Sequence, residues 1–485
     1  MTTQAVPVGE VLSQLPEDLR SGEPPRADLA GLLALSGAGH VPAGRFSRFW
    51  TLGTLQGKLA AAYTFWWLRG MWVDADERER ALNEAHLTSA VRVLGTMSHL
   101  RGAVMKLGQV MAAWPGVAPQ EFADVLGRLH FEAPPMHFSL LRESVRSELG
   151  VDVGRAFATF EQTASAAASL GQVHRATLKN SGASVAVKVQ YPGIARAIGA
   201  DIANIRVLTS PMRLGQDGDN LRDQLADIEA MLALEVDYAA EAENLRTAAR
   251  TLAGLEGVFV PRVHGELSTR RVLTMDWVKG VHIDEYMNAY PSQEERDRHG
   301  ERMARSFMRL CYSAHLLYCD HHPGNCIFMK DGRLGLIDFG CARRYTPAEV
   351  EYLTYIERAG FQGDDAIRAA IVRASDLSPS QQHDRARLDL MLNWFHWMYE
   401  PINTDAPFDF GDGTYLQRGM VMWGEMVRRR YTRSLPVNIW INKSFIGLRA
   451  MLHRLKARVP LGRILREETS VDQAGRTPSF PSNGG

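Results

Sequence analysis

Residues 320–340 read DHHPGNCIFMKDGRLGLIDFG, and this stretch decides the fold. The apolar runs Cys326–Met329 and Leu334–Ile337 flank the turn pair Asp331-Gly332, which predicts a short β-hairpin. Because a hairpin brings the outer ends of its two strands together, we expect Asn325 and Asp338 to lie side by side. An amide oxygen and a carboxylate at one point can share a hard cation such as Mg²⁺.

Asp320 lies five residues before Asn325, on the loop that leads into the hairpin. From there it can face a reacting phosphate or an incoming hydroxyl group. An Asp, an Asn five residues on, and then Asp338-Phe-Gly340 is the spacing of the catalytic and metal-binding loops of protein kinases. The alternative is that Asp-Phe-Gly is a chance tripeptide whose aspartate caps a turn. The combined spacing across one hairpin favours the catalytic interpretation.

Upstream, the runs Gly171–Leu178 and Val185–Gln190 read as strands joined by the turn residues Lys179–Gly182. Alternation in the second strand places Ala186 and Lys188 on one face and its valines on the other. We therefore predict that Lys188 points into a nucleotide cleft and holds phosphates. The alternative is an ordinary lysine on a solvated strand face.

A small-residue run precedes these strands where protein kinases carry a glycine-rich phosphate loop. We predict that it contacts nucleotide in a different pose, because alanine reaches positive φ angles less cheaply than glycine. The alternative is the start of a helix. The residues assigned to nucleotide binding here are Ala166, Ala167, Ala168 and Ser169.

A predicted helix supplies the acidic partner that such a lysine needs. Asp237, Glu241 and Asn244 fall at positions i, i+4 and i+7, so they share one helical face. Glu241 is the predicted ion-pair partner of Lys188, and Glu235 and Asp237 are predicted to serve a second role at the same site.

Together these residues resemble the UbiB/AarF family of atypical protein-kinase-like proteins. The resemblance covers roughly residues 90–345 and rests on four motifs. They are Lys106-Leu-Gly-Gln109 for KxGQ, Ala166–Ser169 for the alanine-rich loop, Glu235-Val-Asp237 for ExD, and the paired loops Asp320–Asn325 and Asp338–Gly340.

The resemblance implies an α+β, bilobal kinase-like fold with a helical N-terminal extension packed over the cleft. Lys106 and Gln109 would then reach inward towards Glu235 and Asp237 and disfavour protein phosphorylation. ATP (or ADP) and Mg²⁺ are the implied cofactors, with Asp276 and Val278 among the nucleotide-binding residues. The chain departs from the pattern at His321, where the familiar form of the loop has proline.

Length and composition bound these expectations. The chain has 485 residues and equal numbers of acidic and basic residues, 55 of each, which excludes a globally basic nucleic-acid binder. Four cysteines without a CxxC pair argue against a zinc site and a disulfide scaffold. Neither a signal peptide nor a membrane span is visible, so we predict a cytoplasmic protein.

The predicted organisation has five parts. They are a poorly ordered leader (1–44), a helical extension with KxGQ (45–150), a kinase-like N-lobe (151–280), a kinase-like C-lobe (281–468) and a disordered tail (469–485). Within the N-lobe, Val258–Val263 and Arg271–Trp277 read as strands, and the C-lobe reads as helical from 284 to 318 and from 347 onward.

A segment from Met426 to Arg466 carries eleven Lys and Arg and no Asp or Glu, interleaved with apolar residues. It is termed the basic segment below. Two interpretations stay open. It contacts anionic lipid headgroups or an acidic partner at a membrane surface, or its cations meet acidic residues elsewhere in the fold.

The function that the resemblance implies is a slow ATPase or a phosphotransferase acting on a small molecule or lipid, in support of isoprenoid quinone or other lipid biosynthesis. The first alternative is a nucleotide-gated module that binds lipid or assembles a biosynthetic complex with little turnover. An aminoglycoside- or choline-kinase-like phosphotransferase shares the Asp, Asn and Asp geometry, but the other motifs disfavour it. Oligomeric state is left open.

Overall fold

A computed structural model describes residues 138–168, 170–195, 226, 229, 230, 232–375, 377–429, 431 and 436–469. The predicted leader, the KxGQ motif with Lys106 and Gln109, Ser169 and nearly all of the predicted tail lie outside these residues. Within the described part, no helix combines the length and the apolarity that crossing a membrane requires.

The N-terminal lobe is built on an antiparallel sheet of five strands. They are β1 (Phe157–Phe160), β2 (Ala166–Ala168), β3 (Gly171–Leu178), β4 (Ser184–Gln190) and β6 (Val272–Asp276). Their order in the sheet is β1-β3-β4-β6, with β2 also paired to β3. The turn between β3 and β4 contains Gly182 at a φ of 67°, a left-handed conformation that favours glycine. The predicted hairpin is confirmed.

Strand β4 separates two hydrophobic clusters, as its alternation predicts. Val185, Val187 and Val189 face a cluster that includes α1 (Phe138–Leu149). Ala186 faces the larger cluster that runs on into the C-terminal lobe. Lys188 lies two residues after Ala186 and therefore on the same inner face, so its ammonium group points towards the space between the lobes.

Helix α3 (Tyr238–Leu252) crosses from the sheet towards the C-terminal lobe. Asp237 caps its N-terminus by accepting hydrogen bonds from the amides of Ala239 and Ala240 at 3.0 and 3.2 Å. A short helix, α2 (Val153–Ala156), precedes the sheet. The cap fixes where α3 begins and therefore which residues of the helix face Lys188.

The C-terminal lobe is mostly helical, with three small sheets. Its helices are α4 (Ile283–Asn288), α5 (Gln293–Ser313), α6 (Pro347–Gln362), α7 (Asp364–Ala374), α8 (Arg385–Tyr399), α9 (Gly413–Arg428), α10 (Pro436–Leu455) and α11 (Leu461–Thr469). Its strands are β5 (Val258–Phe259), β7 (Gly280–Val281), β8 (Leu316–Tyr318), β9 (Cys326–Met329), β10 (Leu334–Leu336), β11 (Ala342–Arg344), β12 (Phe408–Asp409) and β13 (Arg458–Val459). The predicted hairpin is β9–β10, which joins β5 and β7 in one sheet.

Two predicted elements are corrected. The helical stretch 284–318 is two helices followed by strand β8, whose three residues are buried and pair with β11. The predicted strand Val258–Val263 is only Val258–Phe259, with Val263 making one isolated bridge to Met275. In both cases a short apolar run takes its conformation from a distant partner strand, which local periodicity does not reveal.

Candidate active site

The centre of the site is a buried cluster of three charged residues. The Lys188 ammonium group donates to both carboxylate oxygens of Glu241, at 2.9 and 3.0 Å, and to Asp338 Oδ2 at 2.9 Å. Lys188 and Glu241 are 7% and 1% exposed, whereas the Asp338 side chain is 31% exposed. The predicted pair of Lys188 and Glu241 is thus formed, and it is joined to the Asp-Phe-Gly loop.

Burial and charge act in opposite directions on this cluster. Burial raises the pKa of Glu241 to about 7, an effect that the nearby Lys188 only partly offsets. Burial also works against the charge of Lys188, but Asp338 and Glu241 outweigh it and hold the pKa of Lys188 well above its usual value. Lys188 therefore remains a cation, and the Glu241 carboxylate takes up a proton more readily than an ordinary glutamate does.

The Asp-Phe-Gly loop is held by its own backbone and by α3. Asp338 Oδ1 accepts from the Gly340 amide at 2.9 Å, and the Phe339 ring is fully buried. The Asn244 amide group donates to the Phe339 carbonyl at 3.3 Å. Glu241 and Asn244 therefore hold neighbouring parts of the site from the shared helical face that the sequence predicts.

The catalytic loop is organised around Asp320 and Asn325. Asn325 Nδ2 donates to the Asp320 carbonyl at 3.1 Å and to its carboxylate at 3.2 Å, which leaves the amide oxygen of Asn325 as the group that could ligate a metal. The Ile337 amide donates to the Asn325 carbonyl at 3.1 Å. The hairpin thus brings Asn325 next to the residue that precedes Asp338.

His321 occupies the position where the familiar loop carries proline, and the structure supplies room for it. Its ring makes edge contacts with Phe307 and Tyr318, and it faces Gly447 of α10, which has no side chain. Burial lowers the pKa of His321 to about 3, so the ring is neutral near pH 7. His321 is therefore a packing residue between the loop and α10.

The alanine-rich stretch and the two acidic residues of the ExD motif are also predicted site residues. Ala166, Ala167 and Ala168 form β2, paired with Val173, Gln172 and Gly171, so the helix-start alternative is wrong. Besides capping α3, Asp237 pairs with Arg270 at 2.9 Å. Glu235 acts electrostatically on Tyr238 and Lys443, which places it near the cluster.

The predicted nucleotide-binding residues Asp276, which ends β6, and Val278, two residues later, contribute in different ways. Asp276 uses its side chain inside the lobe, where its carboxylate contacts His264 Nε2 at 2.8 Å and accepts from the Arg262 amide at 3.2 Å. Its side chain is therefore committed, and a nucleotide contact there would come from the main chain. Val278 packs against Gly335 of β10. A Cβ atom added to Gly335 would lie only 2.8 Å from the Val278 Cγ1 atom.

Two residues near the cluster were not predicted from the sequence. The Tyr238 ring lies beneath Lys188, with Nζ 5.2 Å from the ring centroid. Lys443, in the middle of α10, is close enough to Cys341 and Asp320 for them to raise its pKa against the effect of burial. Tyr238 directly follows the ExD motif, so the sequence could have marked it as a residue near the site. Lys443 is one of the eleven cations of the basic segment, and nothing in the sequence distinguishes it from the others.

The donor set fits a magnesium ion with a polyphosphate. Asp338 offers a partly exposed carboxylate and Asn325 an amide oxygen, both of them hard ligands. Lys188 offers a cation beside that carboxylate. These three residues could therefore hold Mg²⁺ and the phosphates between them.

Comparisons with known proteins agree with this geometry. Residues 128–368 match the ABC1 atypical kinase-like domain. AarF domain-containing protein kinase 1 of Xenopus laevis is 30% identical over 264 residues, which are 54% of this chain and 51% of that protein. Atypical kinase coq-8, mitochondrial, of Caenorhabditis elegans is 28% identical over 454 residues, which are 90% of this chain and 58% of that protein.

The chain spans about half the length of the first of these curated relatives. Among solved structures, the complex of Rv3197 with erythromycin from Mycobacterium tuberculosis matches with a TM-score of 0.53 and 27% identity, covering 81% of this chain and 98% of that one. The kinase-like fold, the matched domain and the named relatives lead to one conclusion: this chain belongs to the UbiB family of ABC1 atypical kinase-like proteins.

Proposed function

We propose that this chain binds Mg-ATP, or Mg-ADP, and acts as a slow ATPase or as a phosphotransferase for a small molecule or lipid, in support of isoprenoid quinone or other lipid biosynthesis. The observation that carries the proposal is the position of Lys188, which contacts Glu241 and Asp338 at the same time. This contact joins the sheet, α3 and the Asp-Phe-Gly loop, the three elements that must meet around a nucleotide.

Each residue has a role that follows from its contacts. Lys188, oriented by the buried Glu241, neutralises phosphate charge, and Asn325 and Asp338 would hold Mg²⁺. When bound, Mg²⁺ supplies further charge neutralisation at the phosphate oxygens. Asp320, held by Asn325, is the carboxylate that would accept the proton of an attacking hydroxyl group or water.

A small-molecule acceptor is supported by the neighbour Rv3197, whose structure holds erythromycin, an organic small molecule. The UbiB resemblance points the same way, since its KxGQ helix would occupy the place of a protein substrate. Lipid as the acceptor class is the finer part of the proposal and needs a direct test.

One observation supports low turnover, which the slow ATPase shares with the alternative, a nucleotide-gated binding or assembly module. The alanine-rich stretch is a strand whose three residues all pair with β3. A paired strand has fewer backbone amides to offer a phosphate than a glycine-rich loop has. Slow turnover and nucleotide binding without turnover both follow from such a loop.

The test compares two Asp→Asn variants of the full chain, one at Asp338, which follows the hairpin, and one at Asp331, which lies at its turn. Asp338→Asn should reduce Mg-ATP hydrolysis by roughly a hundredfold or more, because it weakens the metal and lysine contacts together. Asp331→Asn is the matched control, since Asp331 is exposed at the hairpin turn and forms an ion pair with the nearby Arg333. Unchanged hydrolysis in Asp338→Asn would refute the mechanism.

The same assay separates the two functions when anionic liposomes or small phenols are added. Stimulated hydrolysis supports catalysis linked to a lipid or phenolic acceptor. Nucleotide-dependent thermal stabilisation of the wild type without measurable turnover supports the binding module.

A further inference from the structure

Tyr238 is the first residue of α3, three residues before Glu241, and it is 1% exposed. Its ring supports Lys188, whose Nζ lies 5.2 Å from the ring centroid. A cation above an aromatic face is attracted by the ring itself, so this contact needs no hydroxyl group. Phenylalanine would provide the same support.

The Tyr238 hydroxyl group is nevertheless buried and, among the described residues, has no hydrogen-bond partner. A buried hydroxyl without a partner is unfavourable, and native structures rarely contain one without a reason. Burial also raises the pKa of Tyr238 well above its usual value, so the group keeps its proton and can donate. Among the described residues, the Tyr238 hydroxyl is therefore a buried donor without an acceptor, and its ring lies against Lys188.

The position of this donor is set by Gly171, the first residue of β3. A Cβ at Gly171 would lie 3.0 Å from the Tyr238 hydroxyl oxygen and 2.2 Å from the Val189 carbonyl oxygen. Only glycine leaves this space open. Gly171 pairs with Ala168, so the hydroxyl lies between the end of the alanine-rich strand and Lys188. A phosphate chain held by both of those elements would lie close to this point.

We propose that the Tyr238 hydroxyl group donates a hydrogen bond to the phosphate chain of a bound nucleoside di- or triphosphate, making Tyr238 a nucleotide-binding residue. This inference rests on the proposed function. The hydroxyl is covered by the start of β3, so the phosphate reaches it when that end of the hairpin lifts. A donor to a charged phosphate oxygen makes a stronger hydrogen bond than a donor to a neutral group. It partly replaces the contacts that an alanine strand cannot make.

The test measures Mg-ATP and Mg-ADP affinity and thermal unfolding of the full chain in Tyr238→Phe. Tyr286→Phe is the matched control, because the Tyr286 hydroxyl is also buried and has no partner within the described part of the chain. Its ring stacks on Phe328 of the C-terminal lobe, with the ring centroids 4.2 Å apart. Both variants lose an unpaired buried hydroxyl, so both should unfold at the wild-type temperature or above it. Only Tyr238→Phe should bind nucleotide more weakly, by roughly tenfold or more.

Two outcomes would overturn the inference. Affinity of Tyr238→Phe within twofold of the wild type would mean that the hydroxyl does not touch nucleotide. A lower unfolding temperature accompanying the loss of affinity would mean that the hydroxyl supports the fold. Failure of the proposed function is seen separately, because the wild type itself would then bind neither nucleotide.

Discussion

Replacing Glu241 by glutamine removes one negative charge from the buried cluster of Lys188, Glu241 and Asp338 and keeps the size of the side chain. Two effects on the free energy of unfolding oppose each other. Removing one partner of a buried ion pair ordinarily costs about 3–5 kcal/mol. Removing a carboxylate that burial disfavours has the opposite effect. The position of the Glu241 pKa decides between them.

Burial raises the pKa of Glu241 from 4.5 to about 7 even with Lys188 beside it. At about 1.4 kcal/mol per pH unit, the ionised carboxylate is disfavoured in the folded state by about 3 kcal/mol. Asp338 stays 2.9 Å from Lys188 and still neutralises it. We therefore expect Glu241→Gln to be more stable than the wild type by about 3 kcal/mol at pH 8.

The sign can be checked by varying the pH. Between about pH 4.5 and 7 the folded protein keeps the Glu241 proton, whereas the unfolded chain has released it. The stability that this group contributes is therefore complete below pH 4.5 and is lost as the pH rises through 7. Glutamine does not ionise, so the stability difference should shrink from about 3 kcal/mol at pH 8 to about 1 kcal/mol at pH 5.

Urea unfolding at pH 5, 6.5 and 8 measures the stability, and Mg-ATP hydrolysis is followed in parallel. Hydrolysis should fall by roughly tenfold or more, because Lys188 loses the group that orients it. Glu357→Gln is the control: Glu357 is also buried and accepts from Tyr312 and Tyr399, but it lies in α6, away from the cluster, so hydrolysis should be unchanged. If Glu241→Gln is less stable than the wild type at pH 8, attraction outweighs burial and the reasoning is wrong.

Two further variants test how the loops of the site are held. In Gly447→Ala the new Cβ would lie 3.1 Å from the His321 Cβ, so the gain in helix propensity of about 1 kcal/mol should be offset by crowding. A double-mutant cycle with His321→Gly, which removes that Cβ, should recover the gain and give a coupling of about 1–2 kcal/mol, whereas additive effects would exclude the contact. Asn244→Ala removes the donor to the Phe339 carbonyl and should cost about 1–3 kcal/mol of unfolding free energy together with part of the hydrolysis. Unchanged thermal unfolding and turnover would show that this bond does not hold the Asp-Phe-Gly loop.

The parts of the site that the sequence predicts correctly depend on short-range geometry. The β3–β4 hairpin and the β9–β10 hairpin are read from alternation and turn residues a few positions apart. The pairing of Lys188 with Glu241 needs one further assumption, that both face the same cleft, and the ion pair bears it out. Local pattern is sufficient there because the strand and helix periods fix which side chains point together.

The features that the sequence does not predict depend on residues far away in the chain. Asp237 is read as a second acidic group of the site, but it caps α3 and pairs with Arg270. Asp276 is engaged by His264 and the Arg262 amide. Strand β8 exists because β11 returns beside it after the Asp-Phe-Gly loop. Each of these depends on a partner that only the folded chain brings close.

The basic segment also depends on residues that are distant in the sequence, because several of its charges are paired by them. Among the described residues of the segment, six arginines form ion pairs with acidic residues, all of which lie outside the segment: Arg428 and Arg429 with Glu425, Arg454 with Asp284, Arg458 with Asp409, Arg463 with Glu301 and Glu467, and Arg466 with Asp405. Arg449 is fully buried and bonds to Tyr415. These pairs favour the interpretation in which the cations meet acidic residues of the fold. Because exposed ion pairs weaken with salt, high ionic strength should weaken these pairs before it affects the buried pair at Lys188.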